Sequence, residues 1–470
     1  MRRLAEQALS RAAGAPLLGG NAVRILRDAG ENFPAWLDAI GLARRWVHLE
    51  SYIVADDAVG REFARALAAK AAEGVPVRLL YDWMGGSSRR LARWLRERGV
   101  EVRCFNPPRL DSPFGWLSRD HRKMLGVDGV VAFVTGLCVS ARWNGDPAHG
   151  RQPWRDTGVE LQGPALADVE RAFGDVWQLA GAALPEAELP GPQDVPPAGD
   201  VTLRVVATAP GVGGLFRLDQ LVATLARRRL WLTDAYFVGL AAYVSALRAA
   251  ARDGVDVRLL VPGSSDIPVV RAISTAGYRE LLEAGVRVFE WNGSMLHAKT
   301  AVADGRWARV GSTNLNVASW IGNYELDVAV EDEGFAGEME AMYERDLDNA
   351  TEVVLRGARR LQAGDGRSRG RGRGGSVGRV AAGALRIGNT VEAAITSRRF
   401  LGAAEARMMA GVGGVLVVLA AAALLWPWLA AGPVALLGIW LGTSLLVAAG
   451  RARGRTAGGP SDPSEGPGLG

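Results

Sequence analysis

His121-Arg-Lys123-Met-Leu-Gly-Val-Asp128 and His297-Ala-Lys299-Thr-Ala-Val-Ala-Asp304 set the same three reactive side-chain types at the same spacing twice in one chain. The types suit phosphoryl chemistry. A phosphodiester resists attack because its reacting group is anionic, so a site must supply positive charge and a nucleophile able to hold a covalent intermediate. Lysines act as point charges on the phosphate oxygens. Imidazole titrates near pH 6.5, so one ring can attack phosphorus while another protonates the leaving alcohol. The chain has four histidines, at 48, 121, 149 and 297, and two of them sit in this frame. The duplication therefore predicts one active site built from two similar halves.

A nucleophilic imidazole needs an acceptor for its other nitrogen, and carboxylates are the usual choice. Asp156, 35 residues after His121, and Glu325, 28 after His297, each begin a strand-like run and are the candidate orienters. Asp128 and Asp304 are expected to hold the motif turn rather than touch substrate. Cys138 and Asn314 each fall 17 positions after their His. Ser312 and Asn314 offer a hydroxyl and an amide for the phosphate or the lysine. Cys138 is a much weaker hydrogen-bonding group and is read as a buried structural residue. Tyr52 and Tyr236 either line the pocket or simply pack in the sheet. His48 reads as a core residue and His149 as loop.

The elements that must position these groups repeat as well. Trp46-Val-His-Leu-Glu-Ser-Tyr52 matches Leu230-Trp-Leu-Thr-Asp-Ala-Tyr236. Gly74-Val-Pro-Val-Arg-Leu-Leu-Tyr matches Gly254-Val-Asp-Val-Arg-Leu-Leu-Val. A period this long means two fused domains rather than a solenoid, and the alternation of strands with Ala-rich helical stretches favours an α/β sandwich with a mainly parallel sheet. Gly85-Gly86-Ser-Ser and Pro262-Gly-Ser-Ser265 read as strand-to-helix turns.

The double His-x-Lys-x4-Asp frame resembles that of the phospholipase D superfamily. Leu49-Glu-Ser-Tyr-Ile-Val-Ala-Asp-Asp57, Tyr81-Asp-Trp83, Arg119-Asp-His-Arg-Lys123, Trp154-Arg-Asp-Thr157 and Gly163-Pro-Ala165 bring it nearest the bacterial cardiolipin synthases. The resemblance implies an α/β chain of two tandem α-β-α sandwich domains forming one pseudo-twofold active site. It makes His121 the nucleophile and His297 the general acid, roles that the residues alone leave interchangeable. His121, Lys123, Asp128, His297, Lys299 and Asp304 form the implied machinery, supported by Ser312, Asn314, Glu325 and Asp156, with no metal and no cofactor. The implied reaction moves a phosphatidyl group from phosphatidylglycerol through a phosphohistidine to the headgroup hydroxyl of a second lipid. Hydrolysis to phosphatidic acid is the alternative.

Composition and charge set the remaining bounds. The 470 residues are 49% apolar, enough for two cores, and two cysteines make no disulfide framework. A net charge of +5 does not by itself imply nucleic acid. The expected organisation is a first domain over 1–185, a Pro-rich acidic linker at 186–200 and a second domain over 201–355. A Gly/Arg linker (356–378), a juxtamembrane helix (379–407), a transmembrane hairpin (408–449) and a disordered tail (450–470) follow. The hairpin rests on 43 residues between Arg407 and Arg451 without one charge, broken by Pro427 and Gly432-Pro433 into spans near Met408–Trp426 and Val434–Ala449. Arginines on both flanks put both ends, and the catalytic halves, on the cytoplasmic face of the inner membrane. Arg2-Arg3 precedes no sustained apolar run, so no signal peptide is expected. The expected partners are anionic phospholipids (phosphatidylglycerol, cardiolipin) and the membrane, not nucleic acid.

Overall fold

The computed structural model describes residues 2–86, 88–108, 117–146 and 150–355, with eight further residues between 432 and 443. The chain divides into two compact units, residues 1–106 with 118–383, and residues 107–117 with 384–470. The described residues of the second unit past 383 are helical. No helix among the described residues is long and apolar enough to cross a membrane. The expected juxtamembrane helix, most of the hairpin, the tail and His149 lie outside the described residues.

The first unit opens with α1 (Arg2–Ala13) and β1 (Leu18–Arg27). There follow α2 (Asp28–Leu42), β2 (Val47–Ser51), α3 (Ala58–Ala72), β3 (Val77–Asp82), α4 (Arg89–Arg96), β4 (Glu101–Phe105), β5 (Lys123–Val127), β6 (Val131–Thr135), α5 (Ala141–Asn144), β7 (Thr157–Gln162) and α6 (Leu166–Trp177). The second half repeats the plan with β8 (Val201–Thr208), α7 (Gly214–Leu225), β9 (Arg229–Thr233), α8 (Ala241–Arg252), β10 (Asp256–Pro262), α9 (Pro268–Glu283), β11 (Arg287–Trp291), β12 (Thr300–Ala303), β13 (Trp307–Gly311), β14 (Glu325–Val330), α10 (Glu333–Leu347) and β15 (Ala350–Val353).

The fifteen strands of the described residues join one sheet in the order β15-β11-β10-β9-β12-β13-β14-β8-β1-β7-β6-β5-β2-β3-β4. Outward from the antiparallel β1–β8 seam, the two halves read identically until β15. The sheet is not mainly parallel, as the alternation of elements had implied. Among the strands of the described residues only β2-β3-β4 and β9-β10-β11 are parallel, and every other pairing is antiparallel. The cause is local. Asp128-Gly129 and Asp304-Gly305 all have positive φ (59°, 67°, 54° and 65°), the signature of a type I′ hairpin turn. Each motif strand therefore folds back on its successor, β5 on β6 and β12 on β13.

Helices cover both faces, so β2, β5, β13 and β14 are buried along their whole length and need no polar alternation. Trp36, Phe63 and Leu91 pack with Leu49, Leu79 and Phe133 over the first half, and Leu218, Tyr243 and Leu281 with Leu232 and Leu259 over the second. On the opposite face Val169 and Phe173 of α6 share one core with Phe335 and Met339 of α10, through Val134, Val159, Val310 and Val328. At roughly 1.5–3 kcal/mol for each large side chain taken out of water, this shared layer fastens the halves together. The acidic connector is packed as well. Its short 3₁₀ turn Glu186–Glu188 brings the Glu188 carboxylate to His48 and Arg78.

Candidate active site

Because β5 runs antiparallel to β2, with Ser51 opposite Lys123, the motif histidine falls at the carboxyl end of the parallel strands. Thr233 opposite Thr300 repeats this in the second half. The motif aspartates stand at the other end of the sheet. Asp128 accepts the backbone N–H groups of Arg44, Arg45 and Trp46 at 2.7, 2.7 and 2.9 Å. Asp304 accepts those of Arg227, Arg228 and Arg229 at 2.8, 2.8 and 2.9 Å. Both cap turns through these N–H groups, and neither joins the histidines.

The halves brace each other at the histidines. The His121 N–H donates to the Tyr324 carbonyl at 2.9 Å, and the His297 N–H to the Arg155 carbonyl at 2.7 Å. The residue after each of those carbonyls is the orienting carboxylate. Glu325 meets Nδ1 of His121 at 2.9 and 3.1 Å, and Asp156 meets Nδ1 of His297 at 2.8 Å. Each imidazole is thus held by the carboxylate of the other half. Opposite an ionised acceptor Nδ1 carries the proton, which leaves Nε2 as the basic nitrogen.

The two carboxylates are supported differently. Ser312 Oγ donates to Glu325 at 2.6 Å, and Asn323 Nδ2 adds a contact at 3.2 Å. The position matching Ser312 in the first half is Gly136, where a Cβ would lie 2.2 Å from Asp156 Oδ1. Glycine is needed there by close approach, and the Trp143 indole N–H, donating at 2.8 Å, supplies the missing bond. Trp143 and Trp154 then enclose the His297 ring, with centroids 5.1 and 5.6 Å away. Sequence reasoning missed both. The signal was the longer separation of Asp156 from its histidine, which makes room for the Trp-bearing segment.

Lys123 and Lys299 are buried, and each donates to the carbonyl of its own histidine. Lys299 Nζ also lies 2.8 and 3.1 Å from the two ring nitrogens of His297. Burial and the like charge of Lys123 bring Lys299 down to about 8, against the pull of Asp156 and Asp234. Burial lowers both imidazoles, and each feels both ammonium groups. His297 falls to about 3, while Glu325 offsets part of the fall of His121. Burial would raise Asp156 and Glu325, but the facing histidines and lysines hold both below the ordinary carboxylate range. The site therefore holds neutral rings and ionised carboxylates beside the Lys299 ammonium.

Tyr52 and Tyr236 set their rings edge-on to His121 and His297, at 5.0 and 5.8 Å, so they border the site as well as the sheet. The strand-to-helix loop 263–267 faces it too, since Asp266 accepts the Tyr236 hydroxyl at 2.8 Å. Asn314 is buried beside Ser319, and its carbonyl oxygen has no hydrogen-bond partner among the described residues. Cys138 is buried, and burial raises its thiol pKa. Asp82 was not foreseen. It accepts the Asp120 N–H at 2.9 Å and fixes the chain entering His121. His48 is the core residue expected, fully buried between Glu170 at 2.7 Å and Glu188 at 3.0 Å.

Residues 222–347 match the family model described as "Cardiolipin synthase, PLD-like domain". The chain is 38% identical over 366 residues to cardiolipin synthase A of Pseudomonas aeruginosa, covering 76% of this chain and 74% of that one. It is 35% identical over 356 residues to cardiolipin synthase A of Pseudomonas entomophila, covering 73% and 72%. The fold is similar to that of phosphatidylserine synthase from Haemophilus influenzae, with a TM-score of 0.58 at 14% identity over 74% of this chain and 92% of that one. With its duplicated half-sheets and paired His-Lys frames, the chain belongs to the cardiolipin synthase family of phospholipase D-like proteins.

Proposed function

We propose that this protein is a phosphatidyltransferase that makes cardiolipin, acting on phosphatidylglycerol through a phosphohistidine. The observation that carries the reading is the reciprocal hold of two neutral imidazoles by Glu325 and Asp156, between two buried lysines. Nε2 of His121 makes no hydrogen bond among the described residues, whereas Nε2 of His297 faces Lys299. His121 is therefore the nucleophile. Its Nε2 bonds to phosphorus, the P–O bond to glycerol breaks, and His297 delivers a proton to the departing glycerol oxygen. An anionic diester between the lysines offsets their charge and raises His297 toward the protonated form this step needs. The now neutral His297 then takes the proton of the second lipid's hydroxyl. That oxygen attacks phosphorus, the P–N bond breaks, and His121 is free again.

Lys123 and Lys299 stabilise charge on the phosphoryl oxygens throughout. Asp128 and Asp304 act at a distance, by fixing the hairpins. The uncharged run 408–449, flanked by arginines, supports a place in the inner membrane with the catalytic halves facing the cytoplasm. Purified protein in detergent with phosphatidylglycerol should yield equimolar cardiolipin and glycerol by mass spectrometry. Phosphatidic acid as the sole lipid product would sink the transferase reading in favour of hydrolysis.

A further inference from the structure

The segments that border the histidines carry large apolar side chains that stand exposed among the described residues. Trp83 and Met84 are 40% and 49% exposed, Ile267 and Val269 44% and 68%, Val317 and Ile321 50% and 42%. Their neighbours tie them to the site. Trp83 and Met84 directly follow Asp82, which holds the Asp120 N–H beside His121. Ile267 follows Asp266, the acceptor of the Tyr236 hydroxyl. Val317 follows Asn316, whose amide donates to the Tyr236 carbonyl at 3.0 Å. Ile321 lies two residues before Asn323, which contacts Glu325.

Charge on the same segments is one-sided. Arg89, Arg90 and Arg271 are exposed on segments 83–86, 88–90, 263–273 and 315–323, whose one exposed acid, Asp266, is engaged by Tyr236. Exposed apolar groups interspersed with arginine around a phosphate site fit an anionic bilayer, where side chains enter the acyl boundary and guanidinium groups meet phosphates.

We infer that the segments 83–86, 88–90, 263–273 and 315–323 form a bilayer-docking rim that seats the active site on an anionic lipid surface. The inference rests on the lipid substrate proposed above and deepens it. The rim brings the headgroup phosphate to the histidines without drawing the acyl chains from the bilayer. It also keeps bulk water off the phosphohistidine between the two transfers.

The test places an environment-sensitive fluorophore on full-length Val269→Cys and Ile321→Cys, with Val130→Cys as control, all in a Cys104→Ser background. Val130 is exposed at the Asp128 turn, at the other end of the sheet. With phosphatidylglycerol vesicles bearing doxyl-labelled lipid, fluorescence at 269 and 321 should be quenched at least twofold, and that at 130 should not. Equal quenching at all three sites, or none at 269 and 321, would overturn the rim. A blue shift at 269 and 321 without lipid would overturn it too, since a second copy or another part of the chain would then cover the surface.

Val269→Glu with Ile321→Glu should slow turnover of phosphatidylglycerol in vesicles about tenfold and leave turnover of a short-chain monomeric analogue unchanged. Loss on both substrates would contradict the inference. Quenching needs no turnover, so quenching at 269 and 321 in the labelled variants, together with phosphatidic acid as the sole product of the wild type, would sink the transferase reading and leave the rim standing.

Discussion

Glu325 meets Nδ1 of His121, so its effect on the chemistry passes through the imidazole. Its charge holds His121 higher than burial and the lysines would leave it. In Glu325→Gln that support is gone, and the His121 pKa falls further below 6.5. The ring stays neutral to lower pH, so the acid limb of the kcat/KM profile should move to lower pH. The maximum should fall about 10²- to 10⁴-fold, because the ring loses the partner that orients it and stabilises its cationic adduct. A limb that moves up, or does not move, would mean that Glu325 is not the partner in solution. His121→Ala should abolish turnover. His297→Ala should do so with phosphatidylglycerol but still load His121 from a 4-nitrophenyl phosphatidyl ester, whose leaving group needs no proton. Trapping labelled phosphatidyl on position 297 of the wild type would reverse the two roles. Both orienting residues were legible in the sequence as carboxylates starting strands. Their exchange between halves was not, because it depends on β1 pairing with both β7 and β8 across the seam. The Gly136 and Trp143 compensation was equally hidden, since the longer stretch from His121 to Asp156 marks an insertion without telling which side chain packs on the carboxylate.

At the scale of the element, the hairpin turn of each motif strand decides where the histidine sits. Asp128 and Asp304 occupy left-handed backbone and each accept three N–H groups. Asp128→Ala should reduce stability by about 2–4 kcal/mol, combining the left-handed penalty for alanine with loss of charge-assisted bonds. Asp128→Asn, which tolerates that conformation, should lose less. Urea unfolding checks both. Turnover per folded molecule should stay within about twofold of wild type, whereas a chemical role for Asp128 would cut it by orders of magnitude even in the asparagine variant. The Asp-Gly pairs announced these hairpins in the sequence. Reading the alternation of strands and helices alone gave the parallel strands β2-β3-β4 and overlooked the antiparallel block β5-β6-β7, whose connections carry no long helix.

The whole molecule is held by contacts far apart in sequence, and one of them titrates. His48 on β2 bridges Glu170 of α6 and Glu188 of the connector, so it fastens both the α6 layer and the segment leading to the second half. Burial would lower its pKa, but the two carboxylates hold it above 6.5. A folded-state value raised above the unfolded one makes the cationic bridge a source of stability that is complete below about pH 6.5. That contribution is lost as pH rises through the folded value. His48→Gln keeps a donor for one carboxylate and removes the titration. Chemical unfolding of wild type and variant at several pH values should therefore give a stability difference that is largest below about pH 6.5 and shrinks at higher pH. A difference that grows with pH, or stays constant, would show that His48 is neutral in the folded protein and that the α6 layer and the connector are held by packing alone.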